Sequence, residues 1–321
     1  MKLEDLNVEK ELKIIYMGTP GFSATVLEGL ISKYNVRAVV TQPDKPSGRG
    51  EHINVSPVKQ ICNEKAILVL QPSKIKESID EILSLDPDLI ITCAYGQILP
   101  KEILDYPRLG CINVHASLLP KLRGGAPIHR AIMNGYKETG VTIMYMNEEM
   151  DEGDMIAKKS VTIEENETAE TLHDKLSLVG RDLLLEVLPS IIAGTNDRVK
   201  QDDSQATYGF VIKREDEKID FSKTKREIYN KVRGLNSWPG AYCTFNGKIV
   251  KVWECYTTEN NFSNLLDGQI TEIYSDGIGV KVSNGEIVLK VVQPEGKRRM
   301  SGIDFANGML TNRGDIVKIF T

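Results

Sequence analysis

The chain has 321 residues, of which 41% are hydrophobic and 26% are charged. This is an ordinary globular composition without low-complexity tracts, which excludes fibrous and largely disordered proteins. The N-terminal segment MKLEDLNVEKE has no apolar core, and no apolar run approaches the roughly 18 residues that span a bilayer. The five cysteines are an odd number without CxxC spacing, which argues against a disulfide framework or a zinc site. We therefore expect a cytoplasmic protein that holds no metal and does not bind a membrane.

Charge is distributed unevenly along the chain. The net charge is −5, but residues 222–321 hold 14 Lys and Arg against 10 Asp and Glu, whereas residues 1–221 hold 26 against 35. A basic C-terminal third attached to an acidic body suggests a local anionic partner, while a chance distribution of surface charge explains the asymmetry equally well.

The first part of the chain alternates apolar strand patterns with helix patterns. The strand patterns are LKIIYMG from Leu12, VRAVVTQ, ILVL, DLIITCAYG, GCINVH and GVTIMYM, and a Pro/Gly-rich loop over residues 43–50 follows the second. A long periodicity of about 3.6 residues then runs over residues 167–193 and ends at Gly194. This rhythm predicts an α/β domain over residues 12–196, with a largely parallel, doubly wound, Rossmann-like sheet.

The pattern changes beyond this domain. Residues 197–212 are polar and aperiodic, which is typical of a linker. Residues 213–321 carry a short helix pattern and five β-like runs. Their turns have good hairpin chemistry: Asn246-Gly247, Ser275-Asp276-Gly277 and Asn284-Gly285. Short antiparallel strands joined in this way predict a small β-barrel domain of the OB type.

The most informative segment is CINVHASLLPKLRGGAPIHRA, residues 111–131. Asn113 and His115 are two residues apart at the end of a predicted strand, so their side chains share one face. Open α/β sheets build their sites at strand ends. An amide and an imidazole at this place are able to stabilise an oxyanion and to exchange a proton with an attacking amine. From these two residues alone, a structural role in holding the loop is the more common explanation.

Two nearby segments have both a structural and a functional interpretation. Ser117, Leu118, Leu119 and Pro120 form either a buried turn or an apolar wall for a flat ligand. The acidic run EEMDEGDM is typical of a solvated loop, and it lacks the alternation and closing glutamate of an EF-hand. Within that run, the Asp151 carboxylate would favour a charged imidazole if it pointed at His115.

Four stretches together resemble the methionyl-tRNA formyltransferases: MGTPGF, TQPDKPSGRG, NVHASLLPKLRGGAPIHRAI and EEMDEGDM. The resemblance covers nearly the whole chain, from about Leu12 to the C-terminus. The N-x-H, SLLP and D-x-G-D parts are shared by the wider group of folate-dependent formyltransferases. The TQPDKPSGRG loop, the RGGAPI stretch and the β-barrel tail point to the members that act on tRNA.

The resemblance implies a reaction and a set of site residues. The formyl group of 10-formyltetrahydrofolate would pass to the α-amino group of methionine on initiator methionyl-tRNA, giving N-formylmethionyl-tRNA for translation initiation. Asn113, His115 and Asp151 would be the catalytic residues, with the first two stabilising the oxyanion and the third orienting the imidazole. Residues 117–120 would line the folate pocket.

The same resemblance implies contacts with the tRNA. In the loop over residues 43–50, Arg49 and then Lys45 would reach the acceptor end of the tRNA. The C-terminal barrel would contact the tRNA body, and its most obvious phosphate-binding cluster comprises Lys297, Arg298 and Arg299. A solvated run of charge explains that cluster equally well. Nothing in the sequence calls for more than a monomer.

Two other functions stay open at this point. A formyltransferase of the same chemistry with another amine acceptor, either an amino sugar or a purine precursor, would not need both the TQPDKPSGRG loop and the C-terminal barrel. A tRNA-binding or chaperone-like protein without catalysis would place no constraint on Asn113, His115 and Asp151, which stand intact within the matching motifs. No GxSxG, Walker or HExxH signature is found in the sequence, which argues against hydrolase and ATPase functions.

Overall fold

The computed structural model describes residues 12–47, 52–310 and 319–321. Its chain divides into two compact units. The first contains the chain up to Pro127 together with Glu138–Thr162 and His173–Phe210, and the second contains Ile128–Lys137, Ile163–Leu172 and the chain from Val211. The domain boundaries drawn from the sequence, residues 12–196, 197–212 and 213–321, stay our proposal for how the chain is organised.

The first part of the chain holds nine strands and six α-helices among its described residues. The strands are β1 (Ile14–Gly18), β2 (Val36–Val40), β3 (Lys45–Ser47), β4 (His52–Asn54), β5 (Leu68–Leu70), β6 (Leu89–Cys93), β7 (Cys111–His115), β8 (Glu138–Tyr145) and β9 (Met155–Thr162). The helices are α1 (Gly21–Ile31), α2 (Pro57–Lys65), α3 (Ile79–Leu83), α4 (Lys101–Asp105), α5 (Pro127–Met133) and α6 (Ala169–Ala193), with a 3₁₀ turn at Ile75–Glu77.

Seven of these strands form one sheet in the order β5-β2-β1-β6-β7-β8-β9. The first five strands in this order, β5, β2, β1, β6 and β7, pair in parallel with their neighbours. Strands β8 and β9 add an antiparallel edge. Strands β1 and β6 are buried at every residue, which explains their uninterrupted apolar sequences IIYMG and LIITC. The predicted α/β fold with a largely parallel sheet is confirmed.

Local sequence signals set the ends of the helices. Before α2, the Ser56 hydroxyl accepts a hydrogen bond from the Lys59 backbone N–H at 3.2 Å, and Pro57 occupies the first helical position. Helix α6 ends where Gly194 adopts a φ of +67°, as the sequence predicts. None of the described helices is long and apolar enough to cross a membrane.

The second unit contains a six-stranded antiparallel sheet. Its elements are α7 (Arg214–Glu217), α8 (Lys225–Gly234), β10 (Ala241–Phe245), β11 (Lys248–Thr257), β12 (Ile270–Ile273), β13 (Ile278–Val282), β14 (Gly285–Pro294), β15 (Met300–Ser301) and α9 (Gly302–Leu310). The strand order is β10-β11-β14-β13-β12, and β15 pairs with β14. Ile319 and Phe320 bridge Gln269, beside β12, and Phe245 in β10, so the C-terminus links both edges of the sheet. The expected small antiparallel barrel is confirmed.

Turn chemistry and aromatic packing hold this barrel together. Asn246 and Gly247 both have positive φ, +51° and +75°, which is the backbone of the tight hairpin that an Asn-Gly pair favours. In the core, the Phe245 ring packs against Phe305 and Phe320 with centroids 5.7 and 4.7 Å away. Each ring is almost fully buried, so all three belong to the apolar core of this unit.

Candidate active site

The three side chains predicted to be catalytic lie together on one face of the first sheet. Asn113 and His115 occupy alternate positions in β7, and Asp151 lies in the loop between β8 and β9. The Asn113 amide nitrogen donates to Asp151 Oδ1 at 3.3 Å. His115 Nδ1 lies 3.6 Å from Asp151 Oδ2, an ion pair when the ring is protonated. The carboxylate therefore contacts both of the other side chains, one with each oxygen.

His115 is held in one tautomer by the backbone. The ring is only 6% exposed, and its Nε2 lies 3.0 Å from the carbonyl oxygen of Leu122. A carbonyl oxygen only accepts, so Nε2 carries a proton and donates it there. Nδ1 is consequently the ring nitrogen that faces Asp151 and the space beside it. The distance of 3.6 Å from Nδ1 to the carboxylate is longer than a hydrogen bond, which leaves this atom available to a reacting group.

Asn113 is fixed by its neighbour on β6. The Thr92 hydroxyl donates to Asn113 Oδ1 at 2.9 Å, which turns the amide nitrogen toward Asp151. One N–H of that amide is used by the carboxylate. Among the described residues the second N–H has no hydrogen-bond partner, and Asn113 is half-buried rather than sealed from solvent. This N–H is a donor poised for a ligand oxygen.

Asp151 owes its position to two glycines. Its Oδ2 accepts a hydrogen bond from the Gly124 backbone N–H at 2.8 Å. Gly124 has a φ of +111°, and a Cβ there would lie 3.2 Å from the carbonyl oxygen of Gly209. At Gly153 a Cβ would lie 1.9 Å from the carbonyl oxygen of Tyr145, so only glycine allows this close approach. Gly153 thus has a packing role in this turn.

Two further side chains lie behind Asp151. Gln201, which the sequence places in the linker, donates its amide to the backbone carbonyls of Asp151 and Gly153. Arg123 in turn donates to the side-chain oxygen of Gln201. No pattern in the sequence singles out Gln201, because it is one polar residue in an aperiodic polar segment.

The SLLP turn is partly buried. Ser117 and Leu119 are each 1% exposed and fix the turn. The Thr142 hydroxyl donates to the Ser117 carbonyl oxygen at 2.7 Å and accepts from the Leu119 N–H at 3.1 Å. Leu118 and Pro120 are half-buried, so these two side chains remain accessible to a ligand. The folate contacts of residues 117–120 stay a prediction.

The residues expected to meet tRNA fall into two groups. Arg49 lies outside the described residues, and Lys45 is described only as backbone at the start of β3. At the base of this loop, hydrogen bonds from Lys59 and Gln71 lower the pKa of Asp44 below its ordinary value. The loop is therefore anchored where it leaves the sheet.

The basic cluster of the second unit is exposed and partly ordered by an aromatic ring. Lys297, Arg298 and Arg299 are all exposed. The guanidinium carbon of Arg299 lies 3.7 Å from the centre of the Trp253 ring, a cation–π contact. The indole N–H of Trp253 donates to Gln293 at 3.0 Å, which fixes the ring. Phosphate binding by these cations stays a prediction.

Neither metal ligands nor reactive thiols stand out in the described part of the chain. No group of three or more His, Cys, Asp or Glu residues there has the arrangement of a metal site. Cys93, at the end of β6, and Cys111, at the start of β7, are the cysteines nearest in sequence to Asn113. Burial raises the pKa of each thiol to about 12, so both are protonated and unreactive at neutral pH.

Comparisons with known proteins agree with this architecture. The chain matches the family model for formyl transferase over residues 12–188 and that for the formyl transferase C-terminal domain over residues 211–310. It is 50% identical over 311 residues to the methionyl-tRNA formyltransferase of Bacillus subtilis, covering 96% of this chain and 98% of that protein. It is 49% identical over 299 residues to that of Staphylococcus aureus strain MW2, covering 92% and 96%.

Solved structures of lower identity share the fold. HypX from Aquifex aeolicus in complex with tetrahydrofolic acid aligns with a TM-score of 0.66 at 16% identity, over 97% of this chain and 51% of that chain. WlaRD, a sugar 3N-formyl transferase, aligns with a TM-score of 0.65 at 20% identity, over 89% and 99%. The two family models and the relatives of about half-identical sequence give one conclusion: the chain belongs to the methionyl-tRNA formyltransferase family.

Proposed function

We propose that the chain transfers the formyl group of 10-formyltetrahydrofolate to the α-amino group of methionine on initiator methionyl-tRNA, with Asn113, His115 and Asp151 as the catalytic residues. Family membership supplies the reaction and both substrates. The observation that carries the choice of residues is the shared carboxylate: Asp151 meets Asn113 with one oxygen and His115 with the other. Such an arrangement fixes two hydrogen-bond donors beside each other.

The reaction requires a place for negative charge. The methionyl nitrogen attacks the formyl carbon, a carbon–nitrogen bond forms, and the formyl oxygen becomes an oxyanion. One donor that stabilises it is the second N–H of Asn113, and the other is Nδ1 of His115 once that atom has taken a proton from the amine. Because these donors are fixed by Thr92, Leu122 and Asp151, they need little reorganisation as the charge develops, and one such donor contributes about 10²–10³ in rate.

The proton must move from the amine to the folate. The attacking nitrogen becomes positively charged and loses one proton to the His115–Asp151 pair. The bond between the formyl carbon and N10 of the folate then breaks, and N10 receives one proton as tetrahydrofolate leaves. One carbon–nitrogen bond forms, one breaks, and the net proton transfer runs from the amine to N10. Asp151 stabilises the imidazolium form of His115 between these steps.

The remaining residues hold the two substrates. In the SLLP turn, Leu118 and Pro120 offer apolar surface to the folate, while the buried Ser117 and Leu119 keep the turn rigid. The cations at residues 297–299 of the second unit and those of the loop over residues 43–50 bind tRNA phosphates, in keeping with the basic C-terminal third of the chain. We assign the enzyme to the cytoplasm and expect it to act as a monomer.

The test is formyl transfer from 10-formyltetrahydrofolate to methionyl initiator tRNA, with glycinamide ribonucleotide and an amino sugar nucleotide as competing acceptors. We expect rapid formylation of the tRNA alone, and its loss in His115→Ala. Transfer only to one of the small amines would keep the chemistry and refute the acceptor. An unchanged rate in folded His115→Ala would refute the site, and no transfer to any acceptor by the folded wild-type protein would refute the reaction.

A further inference from the structure

The turn that carries Asp151 accepts hydrogen bonds from the side chain of Gln201. Gln201 is 4% exposed, and its amide nitrogen donates to the backbone carbonyl oxygens of Asp151 and of Gly153, each at 2.8 Å. A primary amide has two N–H groups, and both are used here. The contact bridges fifty positions of sequence, from the segment after α6 back to the β8–β9 loop. Gln201 thus ties the backbone of this turn to the segment after α6.

Arg123 determines which way this amide faces. Its Nε and Nη2 donate to Gln201 Oε1 at 3.1 and 2.9 Å, and Nη2 also donates to Asp203 at 2.7 Å. Arg123 is 2% exposed. A guanidinium only donates, so the oxygen of Gln201 must face Arg123 and its nitrogen must face the two carbonyls. The orientation of the amide follows from its partners and has no alternative.

The Asp151 backbone needs such support. It has a φ of +53°, a left-handed conformation that few non-glycine residues adopt, although aspartate tolerates it better than most. The conformation directs the carboxylate to Asn113, His115 and the Gly124 N–H. Without Gln201, the two carbonyls would lose their donor, and the turn would be free to relax toward a commoner conformation. The carboxylate would then leave its position between Asn113 and His115.

We propose that Gln201 is a positioning residue for formyl transfer: its amide nitrogen holds Asp151 in the conformation that aims the carboxylate at Asn113 and His115, and Arg123 orients that amide. The inference rests on the proposed catalytic role of Asp151. Gln201 touches no reacting atom and acts only through the turn. Its loss therefore lowers kcat and leaves both substrate KM values nearly unchanged.

Two substitutions of Gln201 distinguish its hydrogen bonds with Arg123 from those with the two backbone carbonyls. Gln201→Glu keeps an oxygen for Arg123 and adds a charge attraction, but it places its second oxygen against the two carbonyls. Gln201→Met removes the hydrogen bonds with Arg123 as well as those with the two carbonyls. The matched control is Gln205→Met, which removes an exposed glutamine of the same segment that bonds Asp202 instead. We expect both Gln201 variants to lose about 10²-fold in kcat, the effect of a misplaced catalytic group, while the control keeps the wild-type rate.

A stabilising role in the fold alone predicts a different result. In that case Gln201→Glu, which retains the Arg123 contact, would keep wild-type kcat. Only Gln201→Met would lose activity, and its melting temperature would be lower. Kinetics are measured on variants whose circular dichroism shows a folded chain, with methionyl-tRNA and 10-formyltetrahydrofolate varied in turn. Wild-type kcat in Gln201→Glu, or a loss carried by either KM, would overturn the proposal.

Coupling to Asp151 supplies the decisive measurement. If Gln201 works through Asp151, then Gln201→Glu changes kcat by less than about threefold in an Asp151→Ala background. The same loss in both backgrounds would mean that Gln201 acts elsewhere and would overturn the inference. Wild-type activity in Asp151→Ala itself would instead refute the proposed catalytic set. The two failures are thus distinguishable.

Discussion

Replacing Asp151 by asparagine is a sharp test of the site because both carboxylate oxygens face donors. Oδ1 accepts from the Asn113 amide at 3.3 Å, and Oδ2 accepts from the Gly124 N–H at 2.8 Å while lying 3.6 Å from His115 Nδ1. An asparagine has only one oxygen. Whichever way it turns, its NH₂ group meets an N–H donor that the carboxylate had satisfied.

The expected loss follows from these contacts. A hydrogen bond to a charged group contributes about 1.5–3 kcal/mol, and one of the two is lost in either orientation of the new amide. The imidazolium proposed at His115 also loses its counter-charge at 3.6 Å, and only part of that attraction is a net gain after desolvation. Together these effects come to about 3–4 kcal/mol, and since about 1.4 kcal/mol is tenfold in rate, kcat should fall roughly 10²–10³-fold.

The assay is steady-state formylation of methionyl-tRNA by Asp151→Asn with each substrate varied in turn. Since Asp151 contacts groups of the protein on each side, we expect KM for both substrates to stay within about threefold. Glu149→Gln is the control, because it neutralises an exposed carboxylate of the same acidic run. A fall in kcat of less than tenfold, or a loss that appears in KM instead, would refute the reasoning about paired donors.

Three further results are expected. His115→Ala should lower kcat by about 10²–10³-fold in the same assay, with a folded circular dichroism spectrum. Exchanging residues 297–299 for glutamate should raise KM for methionyl-tRNA and reduce the slope of log KM against log salt concentration by about 2–3. The control Lys248→Glu should change neither value. An unchanged KM in the triple variant would exclude phosphate contacts at residues 297–299. Arg130 lowers the pKa of Asp216 below its ordinary 3.8, so the stability that this carboxylate adds is present above that pH and is lost as pH falls through the lowered pKa. Urea unfolding of Asp216→Asn should therefore show a deficit of about 1 kcal/mol at pH 7 that shrinks toward pH 3, and a deficit independent of pH would contradict this assignment.

Patterns that depend on neighbouring residues were sufficient to predict most of the fold. The apolar runs of β1 and β6 predict strands buried on both faces, and Asn246-Gly247 predicts the hairpin that joins β10 and β11. Alternation alone placed Asn113 and His115 on one face of β7. Predictions from these patterns hold in the folded chain because the backbone geometry of a strand or a tight turn is set within a few residues.

The support of the site could not be predicted in this way. The acidic run and the family resemblance both point to Asp151, whereas Gln201 and its partner Arg123 carry no local signal. Their hydrogen bond joins residues 78 positions apart. A buried glutamine is distinguished from a solvated one only by which groups surround it, and that depends on how the segment after α6 packs on the first sheet. The polar composition of the segment after α6 correctly predicts irregular structure, but it does not indicate that Gln201 supports the site.

The direction of β8 explains why this support is needed. β8 runs antiparallel to β7, with Thr142 opposite His115 and Tyr145 opposite Ile112. The chain therefore leaves β8 level with Ile112, three residues or about 10 Å short of His115 along the strand. To bring a carboxylate to both His115 and Asn113, the loop must fold back over the sheet face, which it achieves with a left-handed Asp151 and a glycine two residues later. Backbone hydrogen bonds to the strands fix this loop at Met146 and at Asp154. Between these two residues, the position of the carboxylate depends on the groups that donate hydrogen bonds to the turn. For this reason we expect substitutions that loosen the turn to damage catalysis more than equally conservative changes in β7 away from Asn113 and His115.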